Sequence, residues 1–250
     1  MSTSTRTFFL LAILMGLLSA ANMLLPQGTQ GSGVPAMNTL QLPAPLPVMM
    51  LAVFAIVLVA YGGLGFLGLK LSQKLGIPNL FCSEVSNRQR FGLPALAGVL
   101  IGIFLILMDL IFSRFLQLGS LPHPPFPTSL VASISAGIGE EILFRLFFIS
   151  FWTWLVSYVL LRRKGFVPVF WVISTLSAVA FSASHFPSLM FLMGANSLSQ
   201  LPLLLIVEIF LLNGALSLVA AYFYKKSGYL AAAGVHFWAD VVWHVVWGLV

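Results

Sequence analysis

Residues 128–161 read TSLVASISAGIGEEILFRLFFISFWTWLVSYVLL. Apart from Glu140, Glu141 and Arg145 the stretch carries no charge. Lipid cannot hydrogen-bond an exposed backbone, so a run of this kind is predicted to be a helix that crosses a membrane. At about 1.5 Å per residue it would reach roughly 50 Å, against a hydrocarbon core of about 30 Å. Either it tilts strongly or its first turns project beyond the lipid.

Working outward, six more apolar stretches flank it: Thr7–Leu25, Pro47–Leu69, Pro94–Phe112, Val167–His185, Leu201–Tyr224 and Tyr229–Trp247, with the central one at Thr128–Leu161. The chain is 60% apolar and 7% charged, with a mean hydropathy of +1.04. A soluble domain is about 25% charged, so a soluble globular fold is excluded. Alternating apolar and polar strands of a membrane barrel are not seen. The expected fold is an all-α polytopic transmembrane helical bundle of about seven spans. Pro26 to Leu46 is an uncharged Gly/Pro-rich loop, and Lys70 to Leu93 is the longest polar connection. Cys82 is the single cysteine, which rules out an intrachain disulfide and reads as an ordinary loop thiol.

Basic residues alternate between loops. Arg6 precedes the first span; Lys70, Lys74, Arg88 and Arg90 follow the second; Arg162, Arg163 and Lys164 follow the fourth; Lys225 and Lys226 follow the sixth. Arg114 falls on the other side, and Arg145 lies within a span. The positive-inside rule then puts the N-terminus in the cytoplasm and the C-terminus outside. Topology thus accounts for the net charge of +6, and no nucleic-acid partner is expected. Ser19-Ala20-Ala21 also permits a signal-peptide reading of the first span, but its basic region is a single Arg.

Of the six acidic residues, all but Glu84 lie in spans: Asp109, Glu140, Glu141, Glu208 and Asp240. Each costs about 2.5–3.5 kcal/mol at a helix centre, so each needs a partner, a cavity or a task. Glu141 and Arg145 stand at i and i+4, share a face and can pair. Glu140 points about 100° away and is the carboxylate left without that cation, which suits a general base. A structural ion pair with a spectator Glu is the alternative. Phe181 and His185 share a face at the end of the fifth span. His236, Asp240 and His244 form a stripe at i, i+4 and i+8, which reads as catalytic or as an interhelical hydrogen-bond network. Trp238, Trp243 and Trp247 fit packing or an interfacial belt. Gly98 with Gly102, and Ser135 with Gly139, have small-xxx-small spacing that favours close helix packing.

Together these segments resemble the CPBP family of intramembrane glutamic proteases, which includes the type II CAAX prenyl proteases and the abortive-infection-like proteins of bacteria. That family carries EExxxR, FxxxH and HxxxN, or a close variant, on separate spans. The matching residues are Glu140-Glu141-x-x-x-Arg145, Phe181-x-x-x-His185 and His236-x-x-x-Asp240. The resemblance covers roughly residues 128–250; residues 1–127 match only as generic spans and loops. It implies a catalytic core at 128–250 with its site between spans four, five and seven. By the same resemblance Glu140 with His185 activates a water, His236 with residue 240 stabilises the oxyanion, and Glu141 and Arg145 organise the site. It implies no cofactor, a peptide or membrane-protein substrate, and a multi-pass location in the plasma membrane of a prokaryote. One departure matters: Asp240 stands where the family often has Asn. An ionised Asp only accepts hydrogen bonds and would repel an oxyanion, so Asp240 either carries its proton or orients His236 or His244.

Rival readings stay open. His185, His236, Asp240 and His244 with Glu140 offer ligand types for zinc in a metal-dependent hydrolase. A non-proteolytic immunity or partner-binding protein is a second, and a transporter with a proton relay a third. No HExxH, GxSG or GxGD motif of other intramembrane proteases is found. With the inferred orientation, Glu140, His185 and Asp240 all fall in the outer half of the membrane. A prenylated cytosolic substrate is therefore not inferred. Glu208 and Asn213 stay unassigned, Asp109 is expected to pair with Arg114, and His123 is expected to be solvated in its Pro-rich loop.

Overall fold

The computed structural model describes residues 2–26 and 44–250. Most of the Gly/Pro-rich loop of residues 26–46 lies outside these. The described residues form helices and connecting loops, with no strand among them. Seven helices are long and apolar enough to cross a membrane: α1 Thr3–Asn22, α2 Leu46–Lys74, α3 Arg88–Phe112, α4 Thr128–Leu160, α5 Phe166–Leu192, α6 Leu203–Ser227 and α7 Tyr229–Leu249. The chain is thus an all-α, multi-pass integral membrane protein. Its outward surface carries exposed apolar side chains such as Leu51, Val59, Leu107 and Leu203, as a lipid-facing surface requires.

Helix α7 is the hub, packed against α3, α4 and α6. Small residues permit this. A Cβ on Gly98 would collide with the Val235 carbonyl, and one on Gly102 would come within 2.8 Å of the Ala239 carbonyl. The spacing of these two glycines therefore marks a real contact between helix backbones, as expected for small residues in lipid. Gly139 likewise lies against Met15 of α1 and Tyr61 of α2. The α6–α7 connection is a tight turn at Gly228, whose φ of +85° favours glycine and whose missing side chain would meet the Pro78 carbonyl.

Helix α4 resolves its excess length in a way the sequence reading did not include. Its α-helical part ends at Glu141 and is followed by wide π-helical turns at Ile142–Ile149 and Trp154–Leu160. Turns closed by i→i+5 bonds hold more residues per turn, so the helix is shorter than an ideal one of the same sequence. Further such segments are Arg88–Gly92, which opens α3, and Val241–Val246, which follows Asp240 on α7. The segments Ile142–Ile149 and Val241–Val246 begin directly after Glu141 and Asp240. Ser177 of α5 donates to the Phe144 carbonyl at 3.0 Å within the first wide segment, satisfying a backbone group that lipid could not.

The boundaries that differ most from expectation are the start of α3 and the end of α5. Helix α3 starts at Arg88 rather than Pro94, because buried Arg90 turns back onto the loop and donates to the carbonyls of Cys82 (2.6 Å) and Val85 (2.9 Å). Helix α5 continues past His185: its first part ends at Ala183, and Phe186–Leu192 forms a short helix started by Pro187. Proline has no N–H to give the preceding turn, which explains the break.

Candidate active site

The break in α5 sets His185. Its Nδ1 lies 2.9 Å from the Phe181 carbonyl. A carbonyl only accepts, so Nδ1 carries a hydrogen and donates it, which leaves Nε2 as the nitrogen not used by its own helix. Phe181 itself is fully buried and acts as a platform. The Arg145 guanidinium stands 4.9 Å over its ring, and the rings of His185 and His236 meet it edge-on at 5.0 and 5.6 Å.

Arg145 Nη1 pairs with Glu141 Oε1 at 3.1 Å, with both side chains fully buried. His236 Nδ1 lies 2.8 Å from the same Glu141 oxygen. Its Nε2 faces Glu140 Oε2 at 3.6 Å and Asp240 Oδ2 at 3.5 Å. Both nitrogens of the buried imidazole therefore point at carboxylates. Tyr229, about two turns earlier on α7, donates to the Ile138 carbonyl at 2.8 Å and ties α7 to α4 beside the cluster.

The two neighbouring glutamates differ sharply. Glu141 is sealed between Arg145 and His236. Glu140 keeps 35% of its side chain exposed. It opens on a cavity of about 610 Å³ that is also lined by His185, His236, Asp240 and His244. The rest of the wall is mainly apolar and includes Leu105, Leu189, Leu212 and Trp243. Met15 and Tyr61, from the first two helices, also line it. No motif pointed to those two, because each reads as an ordinary apolar-face residue until the helices are assembled.

The structure brings together five of the six expected residues, Glu140, Glu141, Arg145, His236 and Asp240, and puts His185 on the same cavity. The pairing within the set differs from expectation. The imidazole within ion-pair distance of Glu140 is that of His236, whereas His185 turns one nitrogen to its own helix. Among the described residues no three His, Cys, Asp or Glu side chains are arranged to hold a metal ion.

Two expectations are corrected. Asp109 does not turn to Arg114, which is exposed. Its Oδ1 accepts from the Leu121 N–H at 2.9 Å, because an unpaired loop amide near the membrane is satisfied by the nearest acceptor. His123 is not solvated. It is half-buried, with Nδ1 3.2 Å from His244 Nδ1 and its ring edge-on to Trp243 at 4.7 Å. Burial holds its pKa below the ordinary histidine value, and the Asp109 charge offsets this in part. The sequence carried no local signal for this contact, since residues 123 and 244 are joined only by the packing of α7.

Fold and site define a class: a polytopic membrane protein whose carboxylates and imidazoles gather around an apolar cavity. The family model described as type II CAAX prenyl endopeptidase, Rce1-like, matches residues 122–242. This segment holds Glu140, Glu141, Arg145, His185, His236 and Asp240, and it matches the CPBP/CAAX protease family. No curated protein and no solved structure matches the chain.

Proposed function

We propose that this protein is an intramembrane endopeptidase of the glutamic type, with Glu140 as the general base. The observation that carries the reading is the asymmetry between neighbours. Glu141 is fully buried and ion-paired, while Glu140 is open to the cavity where a peptide would lie. A base must reach its water before its other properties matter.

In the proposed reaction Glu140 takes a proton from water as the oxygen attacks the scissile carbonyl carbon. The free Nε2 of His185 accepts a hydrogen bond from that water and orients it. The proton then passes to the leaving amine as the C–N bond breaks, so Glu140 is regenerated. His236 Nε2–H is the donor available to the developing oxyanion. Asp240, 3.5 Å from that nitrogen, orients His236 and does not itself bind the oxyanion. Glu141 and Arg145 hold His236 from the other side. Residues 128–250 supply the reacting groups in this reading, and residues 1–127 close the cavity.

The distribution of basic residues supports an N-terminus in the cytoplasm of a plasma membrane and a cavity toward the outer face. The apolar wall suits an apolar peptide segment. Membranes carrying wild-type protein or Glu140→Gln, compared by proteomics, test the activity: substrate fragments accumulate only with wild type. Insensitivity of purified protein to chelators is expected; loss of cleavage on chelation, restored by zinc, would favour the metal-dependent alternative.

A further inference from the structure

Asp109 is an acid fully buried in a span, and no step of the proposed hydrolysis uses it. Its Oδ1 accepts from the Leu121 N–H at 2.9 Å. Its second oxygen is buried, as are both oxygens of Glu208, its acidic neighbour on α6. An ionisable group kept within a span needs a task. What it holds is informative. Leu121, Pro122 and Pro124 line the cavity that contains Glu140 and His236. The loop between α3 and α4 is therefore part of the cavity wall. A second attachment lies two residues on, where His123 meets His244 and Trp243. The Cβ position of Gly248 is only 2.9 Å from His123 Cβ, so the loop lies close against the end of α7.

We propose that Asp109 is a positioning residue: it fixes the 121–124 segment as a wall of the substrate cavity, and Leu121, Pro122 and Pro124 on that wall select the substrate side chains that fit. Pro122 has no N–H, so the Leu121 bond to Asp109 and the His123 contact with His244 and Trp243 are the attachments that align the loop. A side chain that binds substrate only through another element affects substrate affinity and leaves the chemical step alone. The substrate side of this inference rests on the protease reading; the loop attachment does not.

Both parts are testable in the full chain in membranes. In a Cys82→Ser background, the pair His123→Cys and Gly248→Cys is close enough to form a disulfide after a small shift. Oxidation is expected to cross-link it readily. Adding Asp109→Leu slows the cross-link about tenfold, the scale of one lost hydrogen bond. Asp109→Asn restores it, because an amide oxygen still accepts from Leu121. Equal cross-linking in the Leu and Asn variants would overturn the proposal. In the background that keeps His123, Asp109→Leu raises KM about tenfold with kcat within about twofold, and Asp109→Asn recovers the wild-type KM. A fall in kcat at unchanged KM would also overturn it. If no variant and no wild type cleaves any peptide, the protease reading falls, and the cross-link still decides the loop's attachment.

Discussion

Two groups of buried acids lie on this molecule, and they are handled differently. At the centre, Glu141 has a cation, Arg145, and an imidazole, His236, within 3.1 Å. Toward the loop between α3 and α4, no cation among the described residues pairs with Asp109 or Glu208, and Asp109 accepts a backbone N–H instead. The first group holds side chains in place and the second holds a loop. A buried charge whose partner is removed is far more costly than an exposed one. The central group should therefore be intolerant of losing its cation, while the outer group should give way locally.

Arg145→Met is the harshest test of this contrast. It leaves Glu141 fully buried beside His236 alone, and should cost about 3–5 kcal/mol of stability. Thermal unfolding in detergent measures this. An unchanged midpoint would mean that Glu141 does not depend on its ion pair.

Asp240→Asn separates the two tasks open to Asp240. If Asp240 orients His236, exchanging a charged acceptor for a neutral one weakens the hold and lowers kcat about tenfold. If residue 240 faced the oxyanion directly, the amide would donate and the rate would rise. Single-turnover cleavage gives the sign.

The smallest effect concerns His123, outside the spans. Its pKa is held down in the folded protein, chiefly by burial. The unfolded chain therefore takes up a proton at this residue first as pH falls. Stability contributed here is present above the ordinary value near 6.5 and declines as pH drops below it. Asp109 and His244 are the charged and titratable groups that face this ring. His123→Asn should flatten the stability profile between about pH 7 and 5, a window set around the ordinary histidine pKa. An unaltered slope would show that this ring does not report on the loop.

The comparison also explains what could be read from the chain alone. Seven spans and the Glu141–Arg145 pair were legible, because hydropathy and an i, i+4 spacing are local properties. The second halves of the motifs were legible as types but not as partners. His236 meets Glu141 only because Gly98 and Gly102 let α3 approach α7 and Tyr229 ties α7 to α4. The wide turns after Glu141 and Asp240 depend on packing and leave no mark in the order of residues. The loop attachments were misread for the same reason: Arg114 is near Asp109 in sequence, whereas Leu121 reaches it through the fold.

The most direct test of the central claim is cleavage by purified Glu140→Gln set beside Glu141→Gln, each with its unfolding midpoint. Glu140→Gln should lose at least about 10²-fold in kcat with its midpoint nearly unchanged. Glu141→Gln should lower the midpoint, since it disrupts the buried pair with Arg145. A Glu140→Gln protein that cleaves at the wild-type rate would contradict the account.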